Sequence, residues 1–121
     1  MEARFVFAVE FRLDPASSLS IDTGIFETRL YRPADPPGER GWLFFRDNLW
    51  RGTLADPEHF RDLVADALSV RVTSVEYRAL ETDEAYLETL RSEIGENLEE
   101  FNDRSVRAVL NKYLGSSIEI V

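Results

Sequence analysis

The chain has no cysteine, one histidine and one lysine among 121 residues. Without cysteine there are no disulfide scaffolds, cysteine-ligated zinc sites, iron–sulfur clusters or thiol nucleophiles. Uncharged apolar runs are also short: the N-terminal stretch Phe5-Val6-Phe7-Ala8-Val9 is broken by Glu10 and Arg12. It is neither a signal-peptide core nor a spanning helix, so the expectation is a soluble, cytoplasmic protein with no membrane partner. Turn formers are sparse too, with six glycines and five prolines, three of the prolines within 33–37.

What is present is acid. There are 23 Asp and Glu against 14 Lys and Arg, a net charge of −9, and every base except Lys112 is arginine. The imbalance lies in the second half: eight acids face seven bases up to Ala55, and fifteen face seven from Asp56 onward. Such a charge opposes compaction in dilute salt, whereas at molar salt the screening length falls to about 3 Å. Acid-rich, lysine-poor composition therefore reads as adaptation to a salt-filled cytoplasm. A G+C-rich genome would also favour arginine over lysine. Eight Phe, four Tyr, two Trp and one Met supply enough apolar mass for one core, and a chain of this length reads as a single domain, 1–121.

Residues 3–13 alternate, with Phe5, Phe7, Val9, Phe11 and Leu13 on one face, which predicts a strand. Asp14-Pro15 and the following Ala-Ser-Ser run would end it in a loop, and a second strand is expected at 24–32. The proline-rich segment 32–41 reads as a long connection, either mobile or functional. Residues 42–54, rich in aromatics, read as strand. Asp47-Asn48 would form either a hairpin turn pairing Phe45 with Trp50 or a bulge, the hairpin being preferred. Asp56-Pro57-Glu58 is a helix start, and Phe60, Leu63, Val64, Ala67 and Leu68 give a helix over 57–68. A strand over 70–80, bulged near Ser74, precedes a long helix at 83–101 capped by Thr82 and bent at Gly95. A shorter helix restarts at Asn102-Asp103 and ends at Gly115, and Ile118–Val121 forms a last strand. The sum is an α+β two-layer sandwich: a mostly antiparallel sheet of about five strands with about three helices on one face.

The triplet Leu49-Trp50-Arg51, set in an acidic, lysine-poor chain of this length, resembles the haloarchaeal LWR-salt protein family. The resemblance extends over all 121 residues and implies a haloarchaeal source. It implies no activity, cofactor or catalytic residue.

Chemistry is thinly signalled. His59 lies in a first helical turn near Asp56, Glu58 and Asp62; an exposed acidic turn accounts for it without catalysis. The acids Asp83, Glu84, Glu88, Glu93, Glu96, Glu99 and Glu100 have neither Glu-x-x-His partners nor a calcium-loop pattern, and read as a solvated face. No metal, cofactor or catalytic residue is expected, and no set of nucleophile, base and oxyanion donors converges, so the reading leans away from an enzyme. The candidate interaction surface is Trp42, Phe44, Arg46, Trp50 and Arg51, aromatics interleaved with arginines. Three readings apply to it. Plain cross-strand packing would bury Trp50 against Phe45. A protein-interaction patch would use Trp and Arg as anchors. A nucleic-acid platform would stack bases, against the handicap of the net charge. The leading expectation is a non-enzymatic protein-interaction module whose partner is an unidentified protein or, in a homodimer, a second copy of the chain. The alternative is a nucleic-acid-associated protein. A terminal strand at a sheet edge could also add to a partner's sheet, although burial within the domain is the simpler outcome.

Overall fold

The structure, a computed structural model, describes residues 1–13 and 24–121. The expected turn at Asp14-Pro15 and its loop lie outside these residues.

Strand β1 (Ala3–Arg12) runs antiparallel to β2 (Ile25–Pro33) on one side and to a later strand, β5 (Arg71–Thr82), on the other. The expected strand forms and buries Phe5, Phe7 and Val9 against the helices, but Phe11 is only half-buried and Leu13 lies beyond the strand, exposed. Val6 and Ala8 on the opposite face are also buried at 5%, because their neighbours there, such as Tyr31 and Arg29, are longer. Two extra residues in β5, Thr73 and Arg78, interrupt the β1–β5 register. The first is the bulge expected near Ser74, and its hydroxyl donates to the Glu10 carbonyl at 3.1 Å.

The segment after β2 is tied down: Ala34 N donates to Ala3 O at 2.9 Å and the Tyr86 hydroxyl to Asp35 O at 2.7 Å. Residues 42–48 are not strand. Trp42 and Leu43 lie in turns, and Phe44–Asn48 forms a short helix, α1. A helical turn sends Phe44 toward Phe5, 4.8 Å between ring centroids, and turns Trp42 and Phe45 toward Phe101. One strand could not seat these three rings on two separate walls of the core, so burial overrides the strand preference of aromatics. A hairpin does follow, but its tip is Arg51-Gly52 rather than Asp47-Asn48. It joins β3 (Leu49–Trp50) to β4 (Thr53–Leu54), so Trp50 faces Thr53, not Phe45.

Helix α2 (Pro57–Leu68) begins as its sequence predicts, with the Asp56 carboxylate accepting from His59 N. Helix α3 (Glu84–Glu96) is shorter than the expected 83–101, and its cap is Asp83, not Thr82. The Asp83 carboxylate accepts from Tyr86 N and from Glu2 N, both at 2.7 Å, and these bonds hold its pKa below the usual value. Thr82 completes β5, fully buried. At Asn97 the helix breaks, and Leu98–Phe101 forms a 3-10 turn. Helix α4 (Val106–Leu114) starts at Ser105, whose hydroxyl accepts from Ala108 N, rather than at Asn102-Asp103. Strand β6 (Ile118–Ile120) pairs parallel to β5, so the larger sheet has four strands in the order β2-β1-β5-β6, and β3 and β4 stand apart as their own ladder. The α+β class stands, with a sheet mixed by one parallel pair. Among the described residues no helix is long and apolar enough to cross a membrane.

Candidate functional site

The five residues singled out in the sequence do not form one ribbon, because their segment changes from turn to helix to hairpin. Trp42 is half-buried, edge-on to Phe45 and Phe101 at 6.3 and 5.9 Å. Phe44 faces away from it, against Phe5 and Phe60, with the Arg32 guanidinium 4.3 Å over its ring. Arg46 is held by Asp47 at 2.9 Å and by Glu100 at 3.2 Å. The Asp47 bond is the largest influence raising the Arg46 pKa. These three side chains serve packing and ion pairing at their positions.

Trp50 and Arg51 are displayed instead. Leu49 and Leu54 are buried and anchor the hairpin, whereas Trp50 is 46% exposed. Its ring stands edge-on against Tyr113 at 6.1 Å, and the Arg51 guanidinium lies 5.7 Å from its centroid. The tip is fastened to the end of α4: Arg51 N donates to Lys112 O at 2.8 Å and Gly52 N to Tyr113 O at 2.9 Å. Those carbonyls belong to the last turn of α4, where helices leave acceptors unused, so the hairpin satisfies them. Close approach demands small residues on both sides. A Cβ on Gly52 would stand 3.1 Å from Leu114 O, and one on Gly115 3.2 Å from Arg51 O.

Arg51 has φ +51° and Gly52 φ +82°. Both central residues of the turn are therefore left-handed, an arrangement that favours Asn or Gly over arginine. An arginine there stores about 1 kcal/mol of strain. Beside it, Trp50, Arg51, Asp103, Asn111, Lys112 and Ser116 line a shallow open groove. Lys112 Nζ donates to Phe101 O at 2.7 Å and sits 5.3 Å over the Tyr113 ring. Sequence reading missed the α4 contribution from Asn111, Lys112 and Tyr113. They are about sixty residues from the hairpin, and only the fold brings them beneath it.

Other candidates stay apart. His59 is exposed, and its backbone serves the α2 cap. Among the described residues no three His, Asp or Glu side chains converge as a metal site would require. Glu84, Glu88, Glu96 and Glu99 are exposed, while Glu100 pairs with Arg46. The groove therefore presents an aromatic face, the Arg51 guanidinium, an amide and the Asp103 carboxylate, while the Lys112 ammonium is already shared between Phe101 O and Asp103 Oδ2, 4.0 Å away.

In comparisons with known proteins, no curated protein matches the chain, and no solved structure does. One family model, described as LWR-salt protein, matches residues 1–121 from end to end. The Leu49-Trp50-Arg51 triplet lies in the hairpin just described, with Leu49 buried and Trp50 and Arg51 exposed, and the chain belongs to the LWR-salt protein family.

Proposed function

We propose that this protein is a halophile-adapted, cytoplasmic, non-enzymatic interaction module whose contact surface is the Trp50-Arg51 hairpin tip. One observation carries the reading: a tryptophan nearly half exposed sits on a hairpin whose tip is fastened to α4 by two backbone hydrogen bonds. Trp and Arg dominate contact energies because they offer large area and several donors at small entropic cost once immobilised. A tip already fixed by two backbone hydrogen bonds has met that cost before a partner arrives.

The partner in this reading is a protein. A nucleic-acid reading draws on the same exposed ring, which could stack a base beside Arg51 and Lys112, but the −9 charge opposes a phosphate chain. The deciding experiment is a tagged pull-down in multi-molar KCl from a halophilic lysate. Wild type is compared with a Trp50→Ala/Arg51→Ala double variant, and both protein and RNA are scored. The expected result is loss of a specific protein from a variant that still unfolds cooperatively. Selective loss of RNA instead would transfer the function to nucleic acid. An unchanged set of captured molecules would reduce the hairpin to architecture.

A further inference from the structure

We infer that β2 is the interface through which two copies of this chain join, antiparallel and edge to edge, about a two-fold axis at Thr28. The proposal is independent of the hairpin reading.

Strand β2 is an edge of the larger sheet, and among the described residues nothing pairs with its outer side. Eight of its nine residues are exposed. Edge strands of this length are ordinarily blunted, because an open row of N–H and C=O groups invites another strand. Here Ile25, Phe26 and Tyr31 are 56%, 46% and 49% exposed, three large apolar side chains on one open strand. The only proline, Pro33, is its last residue and leaves 25–31 unobstructed.

The hydrogen-bond phase decides which registers are available. Leu13 N donates to Gly24 O and Ala34 N to Ala3 O, so the even-numbered residues of β2 bond toward β1. The odd-numbered residues, Ile25, Glu27, Arg29 and Tyr31, therefore direct their backbone groups outward. A two-fold ladder must place odd residues opposite odd ones, which means centring it on a residue. Centring on Glu27 sets Glu27 against itself, and centring on Arg29 sets Arg29 against itself. Centring on Thr28 sets Glu27 against Arg29 of the second copy, Phe26 against Leu30 and Ile25 against Tyr31, each pair occurring twice. Opposite charges and apolar pairs facing across a ladder are the stabilising combinations, and like charges the destabilising ones. Four outward-bonded pairs then exchange about eight backbone hydrogen bonds.

Charge selects the same edge for the approach of a second copy. The chain carries −9 overall, but β2 has Arg29 and Arg32 against Glu27 alone. The axis is normal to the sheet, so both sets of helices lie on one side of an eight-stranded sheet ordered β6-β5-β1-β2-β2-β1-β5-β6.

The absence of cysteine makes the register directly testable. In the proposed ladder the two Thr28 residues form a non-hydrogen-bonded pair with Cα atoms about 4.5 Å apart, within disulfide reach. Two copies of residue 27, or of residue 29, would be roughly 8–9 Å apart, beyond it. Single variants Thr28→Cys, Glu27→Cys and Arg29→Cys are oxidised in multi-molar KCl and separated without reductant. Sedimentation of the cysteine-free chain over a hundredfold concentration range is followed alongside. The expected result is a reversible dimer with covalent dimer forming several-fold faster for Thr28→Cys than for either neighbour. A Glu27→Arg or Arg29→Glu change should shift the chain to monomer, and the double exchange should restore the dimer by inverting the pair. A chain monomeric at every concentration, or cross-linking equal at the three positions, overturns the proposal.

Discussion

Arg51 is where residue-scale physics and the proposed function pull in opposite directions. Its φ of +51° suits Asn or Gly, and the following Gly52 is left-handed as well. Arg51→Asn should therefore stabilise the fold by about 1 kcal/mol, since asparagine adopts this conformation at less strain. In a chain of this size that is a rise in melting temperature of about 4 °C. The same change removes the guanidinium beside Trp50, so partner capture should fall while Tm rises. A variant that loses stability would show that the arginine is held by contacts stronger than its strain. A second residue-scale effect concerns Tyr77 and Tyr86, whose phenols burial pushes up to about 12, with the Asp35 charge adding to the effect at Tyr86. Both stay neutral in the fold at pH values where the unfolded chain, with phenols near 10, has begun to ionise. Their contribution is thus complete below pH ~10 and is lost as pH climbs toward 12. Tyr77→Phe/Tyr86→Phe should flatten the decline of stability between pH 10 and 12. At pH 8 the pair should be slightly less stable than wild type, since two hydroxyl hydrogen bonds are gone. An unchanged alkaline decline would disprove the assignment.

At the scale of elements, two glycines of similar sequence appearance have opposite roles. Gly95 lies within α3 at ordinary helical angles, and an added Cβ would meet only a Val106 methyl at 3.4 Å. Gly95→Ala should stabilise by about 0.5–1 kcal/mol, by restricting the unfolded chain and favouring the helix. Gly52 has φ +82° and an added Cβ 3.1 Å from Leu114 O, so Gly52→Ala should cost more than about 1 kcal/mol and pull the hairpin from α4. Thermal unfolding of the two variants should move in opposite directions; the same sign for both would refute this division. The elements also differ in how openly the sequence announced them. Helix α2 was plain, because Asp56, Pro57 and the spacing of Phe60, Val64 and Leu68 all act within a dozen residues. The first strand was plain for the same local reason. Residues 42–48 were misleading. Aromatic side chains suit strands and buried helices alike, and what chose the helix was Phe5 and Phe60 on one side and Phe101 on the other. The end of α3 at Glu96 was hidden similarly, since the apolar spacing continues through Leu98 and Phe101 while the backbone turns at Asn97.

For the whole molecule, the governing quantity is charge. Nine net negative charges on 121 residues repel one another in dilute salt, and molar salt removes that repulsion while apolar burial continues. The melting temperature should climb steadily from low salt to multi-molar KCl, followed by circular dichroism at fixed pH. A flat or falling curve would sink the halophilic reading. That reading, the α+β class and the positions of the main strands and helices come from composition and local pattern, which any stretch of chain carries with it. The sequence also marked Trp50 and Arg51 as unusual, but not which of the five aromatic and arginine residues would stand in solvent. Trp42, Phe44 and Arg46 found partners at Phe101, Phe5 and Glu100, each more than thirty residues distant, and Trp50 found Tyr113 beneath it. Contacts of that range depend on which elements meet. Composition and periodicity act along the chain and determined what elements form; exposure is a property of their packing, and only the tertiary structure decided it.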